Sequence, residues 1–154
     1  MTIASELLHR HFQTLVADHA QWQTLIADDL VWELPYAPTL GHPARLSGRE
    51  EVMRFVTWFL GVVDAFRFFD LQVYACADPD AAVAEVKAEG LIKPTGRRYR
   101  QEYVVFLRAT RGNGPVTRVV TLWPDWRLNL HILTSGGFQC AGETLHHVMR
   151  WNHP

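Results

Sequence analysis

Residues 47–76 read SGREEVMRFVTWFLGVVDAFRFFDLQVYAC, and the period of the apolar positions changes inside that stretch. Val52, Phe55, Val56, Phe59, Leu60 and Val63 fall at i, i+3, i+4, i+7, i+8 and i+11, which is one stripe of an α-helix. Ser47 and Glu50 have the S-x-x-E spacing of a capping box, so the helix is predicted over 50–63. From Phe69 the period is two. Phe69, Leu71, Val73 and Ala75 alternate with Asp70, Gln72, Tyr74 and Cys76, as a half-buried strand requires.

Upstream the pattern is helical. Ile3, Leu7, Leu8, Phe12, Leu15 and Val16 make one buried stripe. Asp18, with Gln21 three residues on, caps a second, shorter helix carrying Trp22, Leu25 and Ile26. Asp28 and Asp29 close it poorly, because negative charge at a helix C-terminus opposes the helix dipole. Residues 30–34 read as a short strand ending at Pro35. The stretch 35–43, with three prolines and Gly41, reads as an ordered loop. Downstream, strands are predicted over 82–92, 97–110 and 116–123, with turns at Asp78-Pro79-Asp80, Pro94-Thr95-Gly96 and Gly112 to Pro115. Helices first and an antiparallel meander after them define an α+β domain, not α/β. A bent sheet wrapped over the 50–63 helix leaves a conical cavity between the two.

The 154 residues fit one domain without repeats or linkers. The chain is 48% hydrophobic, and its six tryptophans and eight phenylalanines are enough to fill a core and also line an apolar site. A formal net charge of -1 gives no electrostatic footprint for nucleic acid. No apolar run reaches the roughly 18 residues of a membrane span, and residues 1–11 lack the apolar core of a signal peptide. The two cysteines, Cys76 and Cys140, do not make a disulfide framework. The expectation is a reduced, cytoplasmic protein. No His, Cys, Asp and Glu set has metal-ligand spacing, and no phosphate loop or nucleophile elbow occurs, so neither metal nor cofactor is expected.

Two runs carry a resemblance. Trp32-Glu33-Leu34-Pro35-Tyr36-Ala37-Pro38, followed by Gly41, Pro43, Arg45 and Gly48, resembles the first-strand and loop motif of PhzA/B-like members of the SnoaL-like family. Glu89-Gly90 with Thr95-Gly96-Arg97, Tyr99, Gln101 and Tyr103 resembles the central hairpin of the same group. The resemblance spans about residues 5–111. It implies the nuclear transport factor 2-like cone fold, which also hosts the ketosteroid isomerases, and a small apolar organic ligand. It also implies a homodimer formed through the sheet. The fold hosts several activities, so it does not choose among them. The family's closing strand usually ends in Glu-Tyr-aromatic-x-Pro. Here residues 119–125 read VVTLWPD, the glutamate is absent, and Thr121 is its nearest counterpart. Residues 125–154 depart from the pattern; 126–134 would be an added strand or arm, and 143–151 a short helix.

The resemblance implies cofactor-free acid-base chemistry on an oxygenated ring compound: isomerisation, cyclisation or dehydration. In ketosteroid isomerases a carboxylate just before the proline ending the first strand removes a proton next to a carbonyl. Here Leu34 holds that place and Glu33 lies one residue earlier, an offset that turns a strand side chain to the other face. Glu33 is therefore read either as the base or as a carboxylate paired with an arginine such as Arg45 or Arg49. Tyr36, Tyr74, Tyr99 and Tyr103 are candidate donors to a developing oxyanion, and each is equally a tyrosine whose buried hydroxyl needs a partner. Glu102 or Glu89 could be a pocket acid; the alternative is a solvated or dimer-facing ladder paired to Arg98 or Arg100. His42, in the proline-rich loop, is a candidate proton carrier or an exposed loop residue. Trp32, Leu34, Trp58 and Phe59 are expected at the ligand, with Phe66, Phe68 and Phe69 as further aromatic lining or core. A non-catalytic binding protein of the same fold is the alternative function.

Overall fold

The computed structural model describes residues 2–111 and 114–122. The strand end expected at Trp123, the turn expected at 112–113, Cys140 and both tail elements expected after residue 125 lie outside the described residues. Among those described, no helix is long and apolar enough to cross a membrane.

Two helices open the chain, α1 (Ile3–Ala17) and α2 (His19–Gln23). Asp18 caps α2 as expected, accepting the Gln21 N–H at 3.0 Å. The helix ends sooner than its apolar pattern suggests. Strand β1 runs Ile26–Glu33, so Ile26, Asp28 and Asp29 belong to the sheet and not to a helix end. Leu25 and Ile26 have helical spacing with Trp22, but two residues are too few to hold a helix against the pairing of β1. The carbonyl of Leu25, which accepts the Val116 N–H at 2.8 Å, ties the chain to β6 (Val116–Leu122). The proline-rich loop contains a 3-10 turn, Ala37–Leu40. It is followed by a three-residue strand too short to leave a sequence pattern, β2 (Arg45–Ser47).

Helix α3 spans Arg49–Val62, and its cap differs from the expected box. Gly48, at φ 84° and ψ 152°, is the N-cap residue and makes no side-chain cap bond. That backbone conformation is open almost solely to glycine. Ser47 sits in β2 and donates its N–H to the Glu51 carboxylate at 2.8 Å. Glu51 thus does the work expected of Glu50.

Four strands follow without a return to helix: β3 (Val63–Ala75), β4 (Ala81–Ile92), β5 (Arg97–Ala109) and β6. The sheet order is β2-β1-β6-β5-β4-β3. The meander β3 to β6 is antiparallel throughout, whereas β1 joins β6 in parallel. Most of the chain separates those two strands, so no hairpin sets their direction.

Two bulges bend β3. Ala65 and Asp70 have positive φ, 49° and 51°, and the register with β4 shifts at both places. Each extra residue reverses the pleat. Val63, then Phe66 and Phe68, then Leu71 and Val73 therefore all pack into the concave side. Strict alternation from Phe69 fails for the same reason. Phe69 does not share a face with Leu71 but carries the Arg67 guanidinium 4.9 Å above its ring. Gly90 makes room for the first bulge, since a Cβ there would lie 2.5 Å from a Val63 methyl and 3.1 Å from the Asp64 carbonyl oxygen.

The core fills the concave side of the sheet beneath α1 and α3, with Trp22, Leu8, Leu30 and Val52 fully buried. A smaller cluster of Val83, Phe106, Val120 and Leu122 with Cys76 packs on the outer face.

Candidate functional site

A cavity of about 90 Å³ lies inside the cone. Helix α1 lines it with His11, Phe12 and Leu15, and α3 with Phe55, Val56 and Phe59. β1 and its exit contribute Trp32, Leu34 and Tyr36, and β3 contributes Phe66 and Phe68. β5 and β6 complete the wall with Tyr99, Tyr103, Val105 and Thr121. Two larger depressions, about 340 Å³ beside β3 and about 440 Å³ beside Arg49, lie at the surface among exposed side chains.

Aromatic rings form one side of the cavity. Phe12 meets Phe68 edge-on at 4.9 Å, Phe68 meets Phe66 at 5.0 Å, Phe66 meets Phe59 at 5.0 Å, and Phe59 meets Tyr99 at 5.6 Å. Successive edge-to-face contacts hold each ring in one orientation, which gives the apolar wall a fixed shape.

Three tyrosine hydroxyls meet in that wall. The Tyr99 hydroxyl bonds the Tyr103 hydroxyl, and Tyr103 also bonds Tyr36. Tyr99 and Tyr103 are four residues apart on one face of β5, and Tyr36 arrives from the turn after β1, its ring 6.3 Å from that of Tyr103. Burial pushes the Tyr99 hydroxyl up to about 12. It raises Tyr36 as well, with a further contribution from the charge of Tyr99, and Tyr103, with further contributions from the charges of Tyr99 and Tyr36. All three are therefore neutral donors over the ordinary pH range. Three O–H groups joined by two mutual bonds leave one O–H directed outside the cluster.

A second polar group lines the same cavity. His11 is fully buried, which lowers its pKa to about 4, and its Nδ1 accepts the Trp22 indole N–H at 3.1 Å. Beside it the Trp32 indole donates to the Thr121 hydroxyl at 2.9 Å. Thr121, the counterpart of the family's missing glutamate, thus lines the cavity with a neutral hydroxyl.

Eight residues named from sequence come together here: Trp32, Leu34, Tyr36, Phe59, Phe66, Phe68, Tyr99 and Tyr103. Six others, besides Phe69, do not line the cavity. Glu33 lies between Trp32 and Leu34 and so points to the outer face. There it pairs with Arg118, at 2.6 Å from Nη2 and 2.8 Å from Nε. Its partner is neither Arg45, its neighbour across β2, nor Arg49, which binds Asp28 at 2.8 Å. The pleat also turns Glu102 outward, opposite Lys87. Glu89 pairs with Arg67 at 2.6 Å instead of Arg98 or Arg100. Tyr74 follows the second bulge onto the outer face, where its hydroxyl lies 3.5 Å from Glu85. His42 packs against Trp58 at 4.6 Å, and Trp58 is 45% exposed, so this pair lies outside the lining. Among the described residues no three His, Cys, Asp or Glu side chains gather as a metal site.

His11 was missed, although the sequence carried its signal. It sits four residues from Leu7, three from Leu8 and four from Leu15, on the buried stripe of α1. A histidine in that stripe must be neutral and partnered. Phe12, Leu15, Phe55, Val56 and Val105 read only as core, because cavity lining and core share one pattern.

The site is an apolar cavity with a few convergent donors on the concave side of an α+β cone, the form small-molecule pockets take. The sequence matches the SnoaL-like domain family over residues 8–119, and the chain belongs to that family. It is 32% identical over 112 residues to an uncharacterised PhzA/B-like protein of Pseudomonas aeruginosa, covering 72% of this chain and 74% of the relative. Among solved structures it is similar to a Bacillus subtilis protein provisionally assigned as an isomerase, with a TM-score of 0.69 at 26% identity over 89% of this chain and 96% of that one. A Δ5-3-ketosteroid isomerase from Mycobacterium sp. shares the fold with a TM-score of 0.68 at 18% identity, over 81% and 95% of the two chains.

Proposed function

We propose that the chain binds a compact, largely apolar, oxygenated ring compound and acts on it by cofactor-free acid-base chemistry of the isomerisation, cyclisation or dehydration type. The tyrosine cluster holds the oxygen on which negative charge develops, and, with no carboxylate in the described lining, the proton leaves to water or hydroxide admitted to the cavity. The observation that carries this reading is the meeting of three neutral tyrosine hydroxyls in the wall of an otherwise apolar cavity. Donors fixed in a dry site stabilise an oxyanion without reorganising. The isomerase names of two similar structures agree with it. The cavity size bounds the ligand: an apolar void of roughly 150 Å³ takes one benzene ring, whereas pockets for drug-sized ligands start near 300 Å³. About 90 Å³ lies below both figures, so the cavity would widen to take even a single ring, and its size points away from a steroid. A cytoplasmic location and a homodimer through the sheet belong to the same reading.

Exchange of the α-protons of cyclohexanone into deuterated buffer, followed by proton NMR, tests it. Exchange above the buffer rate is expected. Tyr103→Phe should slow it by on the order of 100-fold, and Glu33→Gln should leave it unchanged. A second reading, binding without catalysis, is favoured by the pairing of Glu33 with Arg118 and by the absence of a carboxylate from the described lining. Tight binding with no exchange would select it.

A further inference from the structure

The cavity has a second polar pole, and it lies on a residue with no assigned role. An indole N–H can only donate, so the bond from Trp22 makes His11 Nδ1 an acceptor. The neutral ring then carries its proton on Nε2. That N–H has no hydrogen-bond partner among the described residues, although the residue is fully buried and lines the cavity. A buried donor is normally satisfied by protein, water or ligand. The rings around His11 hold it in place: Phe12 edge-on at 5.0 Å, Trp32 at 5.7 Å and Trp22 at 6.0 Å. Trp32 and Trp22 spend their own indole donors on Thr121 and on His11 itself. At this end of the wall the His11 N–H and the O–H of Thr121, which accepts from Trp32, are the donors left for something inside, and the His11 N–H is the one fixed in direction by its ring.

The tyrosine cluster lies further along the same wall. Val105, which faces Thr121 across the β5–β6 ladder, is two residues beyond Tyr103, about 7 Å along the strand. From this placement we infer that the ligand is a single-ring compound with two separate oxygen acceptors. One is held by the tyrosine hydroxyls and the other by the Nε2–H of His11, which acts as a specificity-determining donor. The inference rests on the small-molecule reading above and narrows its substrate class from an oxygenated ring to a doubly oxygenated one.

Calorimetry on the full chain with two probes, cyclohexanone and cyclohexane-1,4-dione, tests it. The dione should bind roughly tenfold more tightly than the monoketone, the worth of one net hydrogen bond. In His11→Phe the ratio of dione to monoketone affinity should fall to about one, whatever the change in the affinity of either ketone alone. In Tyr103→Phe both ketones should weaken. Equal affinities in the wild type, or a dione preference that survives His11→Phe, overturn the inference and leave the cavity reading standing. Failure of both ketones to bind overturns the cavity reading and this inference with it. Nitrogen-15 NMR of the unaltered protein gives a check that does not depend on the variant folding. The Nε2–H tautomer, with an Nε2 shift that moves on dione addition and not on cyclohexanone addition, supports the assignment. The Nδ1–H tautomer contradicts it.

Discussion

Two groups in the cavity wall are held neutral by burial, and their titrations have opposite signs. His11 falls from 6.5 to about 4 on folding. Its neutral form is the folded form, so its contribution is complete above pH 6.5 and is lost as pH falls through about 4. The difference amounts to at most on the order of 3 kcal/mol. Urea denaturation across that window should show stability declining in the wild type, with a flatter acid limb in His11→Phe; parallel curves would remove the buried neutral histidine from the account. Tyr99 rises to about 12, with Tyr36 and Tyr103 raised beside it. A raised pKa contributes stability that is intact below the unfolded value near 10 and is lost as pH climbs through about 12. Absorbance at the tyrosinate band, followed in Tyr74→Phe so that only the cluster is read, should therefore stay flat through pH 10 in the folded protein. A full tyrosine equivalent ionising there from the cluster would contradict the burial. Residue identity made the tyrosines legible as donors, and strand parity made the outward turn of Glu33 legible. The sequence could not show that Arg118, 85 residues away, would receive it.

At the scale of elements, the bent edge strand β3 shapes the cavity, because its bulges keep Phe66, Phe68, Leu71 and Val73 on one side. Ala65 holds a left-handed conformation that costs an alanine roughly 1–2 kcal/mol, and its side chain is exposed. Ala65→Gly should stabilise the fold by about 1 kcal/mol in thermal denaturation. Gly90→Val should destabilise it by about 2–3 kcal/mol, since the new side chain meets Val63 and backbone at the bulge. No effect at Gly90 would mean that the bulge is not held there. The long antiparallel strands were legible from alternation and from turn residues such as Pro94-Thr95-Gly96. The bulges were not, because an αL alanine or aspartate leaves no mark in a hydrophobic pattern. Helix α2 and strand β1 were misdivided because Trp22, Leu25 and Ile26 have the i, i+3, i+4 spacing of a helix, although Ile26 opens β1. β2 is set by pairing with Val31, Trp32 and Glu33, a long-range cause that a local reading does not see.

For the whole molecule, the order of helices before strands was enough to give the cone, and the resemblance at Trp32 to Pro38 and Glu89 to Tyr103 agreed with it. The parallel β1–β6 pair is the part of the topology that no local signal announced. The outer face of the sheet carries Glu33–Arg118, Lys87–Asp70 and Arg67–Glu89 beside a small apolar cluster, and we assign that face to a second copy of the chain. Light scattering at micromolar concentration should return twice the chain mass; a monomer would remove the dimer from the account. The central claim is that the cone is a receptacle for one oxygenated ring. A crystal structure grown with cyclohexane-1,4-dione tests it most directly. The account predicts one ring bounded by Phe59, Phe66 and Trp32, with an oxygen at hydrogen-bond distance from the tyrosine cluster. A cavity filled by its own side chains, or one that stays empty of the ring at saturating ligand, would contradict it.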